Sequence, residues 1–512
     1  MPVIGNIIKG FIEIRDYITP EKDHIKLQEK VLEELLEKAR DTAFGKHYHF
    51  ETVLASDNRS KTFSKIVPGF DYDTLNRKWW HRLHDGEYDV TWPGNPDYFA
   101  LSSGTTGKTS KRIPVTKDMI EVIRNAGIKQ IYALANFNMP PEFFEKDILM
   151  LGSSTDLTQT EGHQEGEISG ISASNIPGWF QGFYKPGIDI ASIEDWDQRV
   201  LAIAKKAKEW DVGAISGIPS WIELMLKKII EYHNVETIHD IWPNFQVYTS
   251  GGIAFGPYEK SFRALTSKPL QIIDTYLASE GFLAFQARPE TDAMQLITDN
   301  GVYFEFVPFD AQYINEDGSL KEGFPSYTLA EVEPERDYIL LISTVAGAWR
   351  YLIGDTIKFT DVSRAEIKIT GRTKFFLNTV GSQLSVNKLN DAVKHLEDKL
   401  SIQIPEFTIS AIEYDNEYYH HWFLGTSNPD NLNSEKAAAI LDNYLKKVNK
   451  NYKVARSRAL KGVKVNAVTL AAFYEWNAQK KKKGGQVKME KVMKPEKFKQ
   501  WKKFVSNLKE PS

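Results

Sequence analysis

The sequence predicts an α/β protein with a large N-terminal domain of mostly parallel sheet and a β-rich subdomain, followed by a small α+β domain on a hinge. Three observations carry this reading. From residue 98 onward, short apolar runs alternate with amphipathic helical stretches, and the runs end in Gly/Ser turns. Between residues 300 and 360 the pattern turns β-rich, and near Gly371-Arg372 it changes again. At 512 residues the chain is also too long for one compact core. We therefore divide it into residues 1–372 and 373–512.

Taken in order, residues 20–40 place Ile25, Val31, Leu32, Leu35, Leu36 and Ala39 on one helical face, which reads as packing. His47-Tyr48-His49 and Trp79-Trp80-His81 have no second ligand pair at metal-site spacing and also read as packing. Tyr98 to Leu101 is a strand, as are Asp147 to Leu151, Val212 to Gly217, Phe245 to Thr249 and Leu270 to Tyr276. Helices are expected over Asp197 to Trp210 and Trp221 to Tyr232. The β-rich part contributes Val302 to Phe306, Ser326 to Val332, Tyr338 to Thr344 and Ile357 to Thr360. Beyond the boundary come a helix (Val386 to Leu400), a hairpin (Phe407 to Gly425), a helix (Ser434 to Val448) and a Lys-rich end.

The stretch Ser102-Ser103-Gly104-Thr105-Thr106-Gly107-Lys108-Thr109-Ser110-Lys111 combines two glycines, six hydroxyls and two lysines. Glycine lets backbone N–H groups turn toward an anion, hydroxyls add donors and lysine adds a point charge, so the loop suits a triphosphate. It is not a P-loop. Ser102 stands where the first glycine belongs, and the loop runs into Arg112-Ile113-Pro114-Val115, a strand, instead of a helix. The next helix starts later, with Thr116 as its N-cap.

Two further stretches join the loop. One is Tyr276-Leu277-Ala278-Ser279-Glu280-Gly281, and the other is Trp349-Arg350-Tyr351-Leu352-Ile353-Gly354-Asp355, followed by Ile369-Thr370-Gly371-Arg372. Together they resemble the adenylate-forming superfamily, and more narrowly the auxin-responsive Gretchen Hagen 3 family of acyl acid–amido synthetases. That family carries an SSGTT or SSGTS loop, then YxxSEG, then YRYxxGD. The likeness runs over nearly the whole chain, including Tyr303-Phe304-Glu305-Phe306 and Ser250-Gly251-Gly252. Two departures stand out. Trp349 replaces the usual Tyr, and Gln383 holds the place of a lysine after the hinge strand, for which Lys374 or Lys388 are alternatives.

The resemblance implies an ATP-dependent ligase that forms an acyl-adenylate and transfers the acyl group to an amino acid. Ser102, Ser103, Gly104, Thr105, Thr106, Gly107 and Lys111 would hold phosphates, and Glu280, beside Ser279, supplies a hard oxygen for Mg²⁺. Tyr276 offers a flat face to adenine or belongs to the core, and Asp355 accepts from the ribose hydroxyls. Arg350 and Arg372 either neutralise carboxylate or phosphate or form surface ion pairs. Gly484-Gly485-Gln486-Val487-Lys488 resembles the superfamily's C-terminal lysine loop, which gives Lys488 the catalytic lysine role alongside Glu280. Rotation about residues 372–380 would swap the site between steps.

Aromatics among residues 175–184, 215–221 and 248–255 suggest a pocket for an aryl or indolyl acid. Two alternatives share the motifs: an acyl-CoA synthetase and a non-catalytic nucleotide-binding homologue. The net charge of −4 gives no drive toward nucleic acid or membrane. Cysteine is absent, which excludes a thiol nucleophile and disulfides. No stretch approaches the roughly 18 apolar residues of a membrane span. The first twenty residues lack a signal-peptide core, so a cytoplasmic protein is expected, as a monomer or dimer.

Overall fold

The computed structural model describes residues 6, 9–10, 22–102, 111–160, 162–178, 180–252, 255–315, 318–373, 384, 386–414, 417–458, 460–478 and 489–508. Ser103, Gly104, Thr105, Thr106, Gly107, Lys374, Gln383 and Lys488 lie outside these residues.

In chain order the strands are β1 (Tyr98–Ser102), β2 (Lys111–Val115), β3 (Asp147–Leu151), β4 (Thr158–Gln159), β5 (Gln164–Gly166) and β6 (Tyr184–Lys185). Then come β7 (Val212–Gly217), β8 (Val247–Gly251), β9 (Gln271–Ala278), β10 (Gly281–Phe285), β11 (Met294–Leu296) and β12 (Val302–Pro308). The last six are β13 (Asp337–Thr344), β14 (Tyr351–Asp361), β15 (Glu366–Arg372), β16 (Glu406–Tyr414), β17 (Glu417–Thr426) and β18 (Leu460–Thr469).

Eleven of the described strands form one mixed sheet in the order β12-β13-β14-β15-β11-β10-β9-β8-β7-β3-β6. Its two halves are built differently. From β6 to β9 every pairing is parallel, with helices such as Trp196–Lys206 and Pro219–His233 as crossovers. Pro219 sits at the first turn, where its missing N–H costs nothing, and Asn234 closes the helix in the left-handed region at φ 51°. From β9 to β12 every pairing is antiparallel. The N-terminal helices, among them His24–Ala39, pack on this antiparallel half around Trp80 and Trp349. A second core joins the crossover helices to the parallel half, and a third fills the β16-β17-β18 sheet.

Thr116 caps the helix Lys117–Ala133 as expected, accepting from the Met119 amide at 3.1 Å. Ser326 to Val332, expected as a strand, makes only the isolated bridge of Tyr327 to Phe306. The Glu331 carboxylate accepts from both the amide and the hydroxyl of Thr328, and this turn competes with a ladder. The sequence reading also passed over β18 and the helices Leu470–Ala478 and Pro495–Leu508.

Arg350 is no surface arginine. It is 2% exposed, at φ 41°, and its Nε lies 3.0 Å from both oxygens of Glu305, itself 3% exposed. Its Nη1 donates to the carbonyls of Ser64 (2.9 Å) and Val67 (2.6 Å), and Ser326 donates to Glu305 at 2.6 Å. Helical segment, β12 and the entry to β14 are thereby tied together. Across the molecule, Tyr258 donates to Glu406 of the C-terminal sheet at 2.9 Å, and Lys491 donates to the other Glu406 oxygen at 2.8 Å.

Removing one partner of a buried pair strands the other charge, at a cost of about 3–5 kcal/mol. Arg350→Ala is therefore expected to lower unfolding free energy by that order, whereas the double change Arg350→Met with Glu305→Leu costs much less, as read by urea denaturation.

Candidate active site

The hydroxyl-rich loop is bracketed by a strand pair. β1 and β2 are antiparallel, the last pair of their ladder is Ser102↔Lys111, and residues 103–110 connect them in sequence. Lys111 lies 5.2 Å over the Tyr72 ring, and Tyr72 Oη accepts from the Arg112 amide at 2.9 Å. The mouth of the loop is fixed at both ends.

Ser279-Glu280 is the two-residue turn of the β9–β10 hairpin, closed by the pair Ala278↔Gly281. The strand read from the sequence thus ends in a reversal instead of a crossover. Glu280 is 7% exposed, and burial raises its carboxyl pKa against the opposing charge of Lys111. Tyr351 lies on its other side, with its phenol pushed well up by burial and then by the Glu280 charge. The Tyr351 hydroxyl is buried and makes no hydrogen bond of ordinary geometry.

β9 also carries Tyr276, 6% exposed, whose hydroxyl donates to Asp355 Oδ2 at 2.5 Å. The other oxygen, Oδ1, accepts from Arg372 Nε at 2.5 Å. Arg372 keeps 44% of its side chain exposed, and the Asp355 charge raises its pKa. Gly354 precedes Asp355 at φ +90°, a conformation that disfavours a Cβ, and its carbonyl accepts from the Thr373 amide at 2.8 Å. That kink, with a register shift just after Thr356, turns Asp355 toward β9 and β15.

The structure therefore brings Tyr276, Ser279, Glu280, Asp355 and Arg372 together at one end of the large sheet, which Lys111, paired with Ser102, approaches from the separate sheet β2-β1-β5-β4. Tyr276 is both core and site, because its ring is buried while its hydroxyl is spent on Asp355. Each Asp355 oxygen already accepts one hydrogen bond, and a carboxylate offers about four lone-pair sites, so one more on each oxygen remains for a ligand. Arg350 leaves the site for the core. Of the aromatics expected around an acid pocket, Tyr248 and Phe255 belong instead to the buried core over the parallel half. The sequence reading assigned no role to Tyr351 or Tyr72. Tyr351 was detectable, because it lies four residues before Asp355 and hence on the same face of a strand. Tyr72 stands on a short helix far away in sequence and had no such signal.

No group of three or more His, Cys, Asp or Glu side chains that would hold a metal occurs among the described residues. This donor set does not make an all-protein cage. A single buried carboxylate fits Mg²⁺, which takes one or two carboxylates and otherwise phosphate oxygens and water.

The eleven-stranded mixed sheet with a small C-terminal sheet recurs in solved structures of adenylate-forming enzymes. The structure superposes on "2-Hydroxyisobutyryl-CoA Ligase (HCL) in the postadenylation state in complex with 2-HIB-AMP" with a TM-score of 0.58 at 12% identity, covering 94% of this chain and 92% of that one. It matches "GH3.15 acyl acid amido synthetase" with a TM-score of 0.77 at 17% identity, over 98% and 96% of the two chains.

The chain belongs to the GH3 family. The model of the GH3 family N-terminal domain matches residues 18–207, that of the central domain 295–372, and that of the C-terminal domain 387–497. The jasmonoyl–L-amino acid synthetase JAR6 of Nicotiana attenuata is 21% identical over 82% of each chain. A probable indole-3-acetic acid-amido synthetase, GH3.9 of Oryza sativa subsp. japonica, is 28% identical over 37% of this chain. That match spans 44% of the rice protein's length, and the match to the Arabidopsis thaliana synthetase GH3.2 spans 39% of that protein's. No helix of the described residues is long and apolar enough to cross a membrane.

Because burial raises the Glu280 pKa, the folded protein without ligand binds its proton more tightly than the unfolded chain does. The stabilisation is complete below the ordinary value of 4.5 and is lost as pH rises through the raised one. Glu280→Gln escapes this loss. The ligand-free variant should be more stable than the parent at neutral pH and match it at pH 4, in paired thermal melts.

Proposed function

We propose that the protein is an ATP-dependent acyl acid–amino acid ligase. It activates a small carboxylic acid as its adenylate, releasing pyrophosphate, and then passes the acyl group to an amino acid to form an amide. The observation that supports this best is the convergence of the loop mouth, Glu280 and the Tyr276–Asp355–Arg372 network at one sheet end, within a chain of the GH3 family.

The first step needs no general base, since the carboxylate nucleophile is ionised at neutral pH. It needs alignment and neutralisation of charge. Ser102, Lys111 and the loop residues Ser103, Gly104, Thr105, Thr106 and Gly107 hold the phosphates. Asp355 accepts from the ribose hydroxyls, with Tyr276 and Arg372 fixing its carboxylate, and the buried Tyr276 ring edges the adenine site. Glu280 would hold the Mg²⁺ that accompanies ATP, and that ion would supply charge neutralisation at the phosphates. Lys488, on the basic C-terminal loop, neutralises the α-phosphate as it becomes pentacovalent. We place the division between the nucleotide-binding part and a mobile C-terminal domain at residues 372–373, with rotation there exchanging the lysine loop for the acceptor. An aryl or indolyl acid is the acyl donor most in keeping with the relatives' names.

Pyrophosphate release with ATP, Mg²⁺ and a panel of aryl and indolyl acids tests the reading. Release that depends on the acid and rises with an amino acid is the expected result. Stimulation by coenzyme A instead moves the protein to thioester formation, and ATP binding with no release on any acid leaves a binding protein. Glu280→Ala and Asp355→Ala are each expected to lower acid-dependent release at least ~100-fold with the fold intact by circular dichroism. Near-parental release in either removes that residue from the site.

A further inference from the structure

The proposed reaction consumes an amine that is an ammonium at neutral pH, and none of the site groups named so far receives it. One side chain of suitable charge stands close by. Asp274 lies on β9 two residues before Tyr276, so both project from the same face, about 7 Å apart along the strand. On the neighbouring strand Ser250 pairs directly with Asp274, near the carboxyl end of β8. Ligands of open parallel sheets bind beyond these ends.

Two features mark the pair as a place for a donor. Ser250 is 1% exposed, yet its hydroxyl makes no hydrogen bond of good geometry. It stands between the Tyr248 phenol, which donates to the Gly217 carbonyl at 2.8 Å, and the Asp274 carboxyl. Asp274 is partly buried and has no ion-pair partner among the described residues, whereas Asp355 at the same sheet end has Arg372. Burial and the like charge of Asp292 push its carboxyl up to about 6, as befits an acid lacking a counter-ion. A half-buried carboxylate without a cation is costly, and it persists most readily where a ligand brings the cation.

We propose that Asp274, with Ser250, binds the ammonium group of the amino-acid acceptor. This rests on the ligase reading above. Asp274 is then a specificity residue: it draws the acceptor in as its ammonium beside β9. The ammonium passes a proton to the carboxylate or to solvent before the neutral nitrogen attacks the acyl carbonyl and AMP leaves.

Hydroxylamine makes the test, because it is uncharged at neutral pH and traps acyl-adenylates without needing an ammonium site. The parent and Asp274→Asn are each given ATP, Mg²⁺ and indole-3-acetate or another acid of the panel, with either hydroxylamine or a mixture of L-amino acids. The expected result is a rise of at least ~10-fold in the ratio of hydroxamate to amino-acid conjugate for Asp274→Asn, through a higher KM for the amino acid. Ser250→Ala shifts the ratio the same way by less. An unchanged ratio overturns the inference. So does equal loss of both products, which would assign Asp274 to adenylation or to the fold; thermal melts separate these two, since removing a half-buried charge should not lower stability. If the parent itself yields no hydroxamate with any acid, it is the ligase reading that fails.

Discussion

The candidate site depends on how β14 begins, and that is set by one buried ion pair. Arg350 and Glu305 are sealed from water, and Nη1 of the guanidinium donates to two carbonyls of the N-terminal helical segment. A pair in such surroundings contributes little net stability but strongly disfavours any arrangement that separates the partners. It therefore acts mainly on position. Immediately after it come Tyr351 and, four residues on, Asp355, so the buried pair fixes the strand from which two of the site's polar groups project.

Around Asp355 the same economy recurs. Tyr276, from β9, and Arg372, from β15, approach opposite oxygens of one carboxylate, which links strands that are not neighbours in the sheet. A carboxylate held by two partners has few ways to reorient, and a ligand meeting it loses little further freedom. Glu280 is the contrast. It is buried and forms no ion pair among the described residues, so burial outweighs the Lys111 charge and its environment favours the proton. That is a strained arrangement in the absence of a ligand and a useful one where a divalent cation is to be held.

Much of this was legible in the residues. Alternating apolar runs and helices gave the parallel half, because period and turn chemistry are local. The three motifs marked Glu280, Tyr276, Asp355, Arg372 and the loop mouth, and the structure brings their described residues to one place. What stayed hidden was long-range. The role of Arg350 depends on Glu305 and on carbonyls nearly 290 positions away in sequence. Tyr72 enters the site only because a short helix packs beneath Lys111. Ser326 to Val332 has strand-like composition, yet a side-chain turn of Thr328 and Glu331 outbids the ladder. The aromatics Tyr248 and Phe255 resemble pocket walls in sequence and are core in the fold, since ring content alone does not tell burial from lining.

The hydrogen bonds of Glu406 to Tyr258 and Lys491 bear on how the family's parts can be recombined. Glu406 belongs to the C-terminal sheet but satisfies one oxygen with a hydroxyl from the other side of the 372 boundary. A chimera joined at that boundary inherits one half of the contact and must find the other half in its new partner. A grafted C-terminal part whose acceptor lacks a donor at position 258 leaves that Glu406 oxygen without its partner, so side chains on both sides of the proposed division, and not only the linker, bear on such a graft.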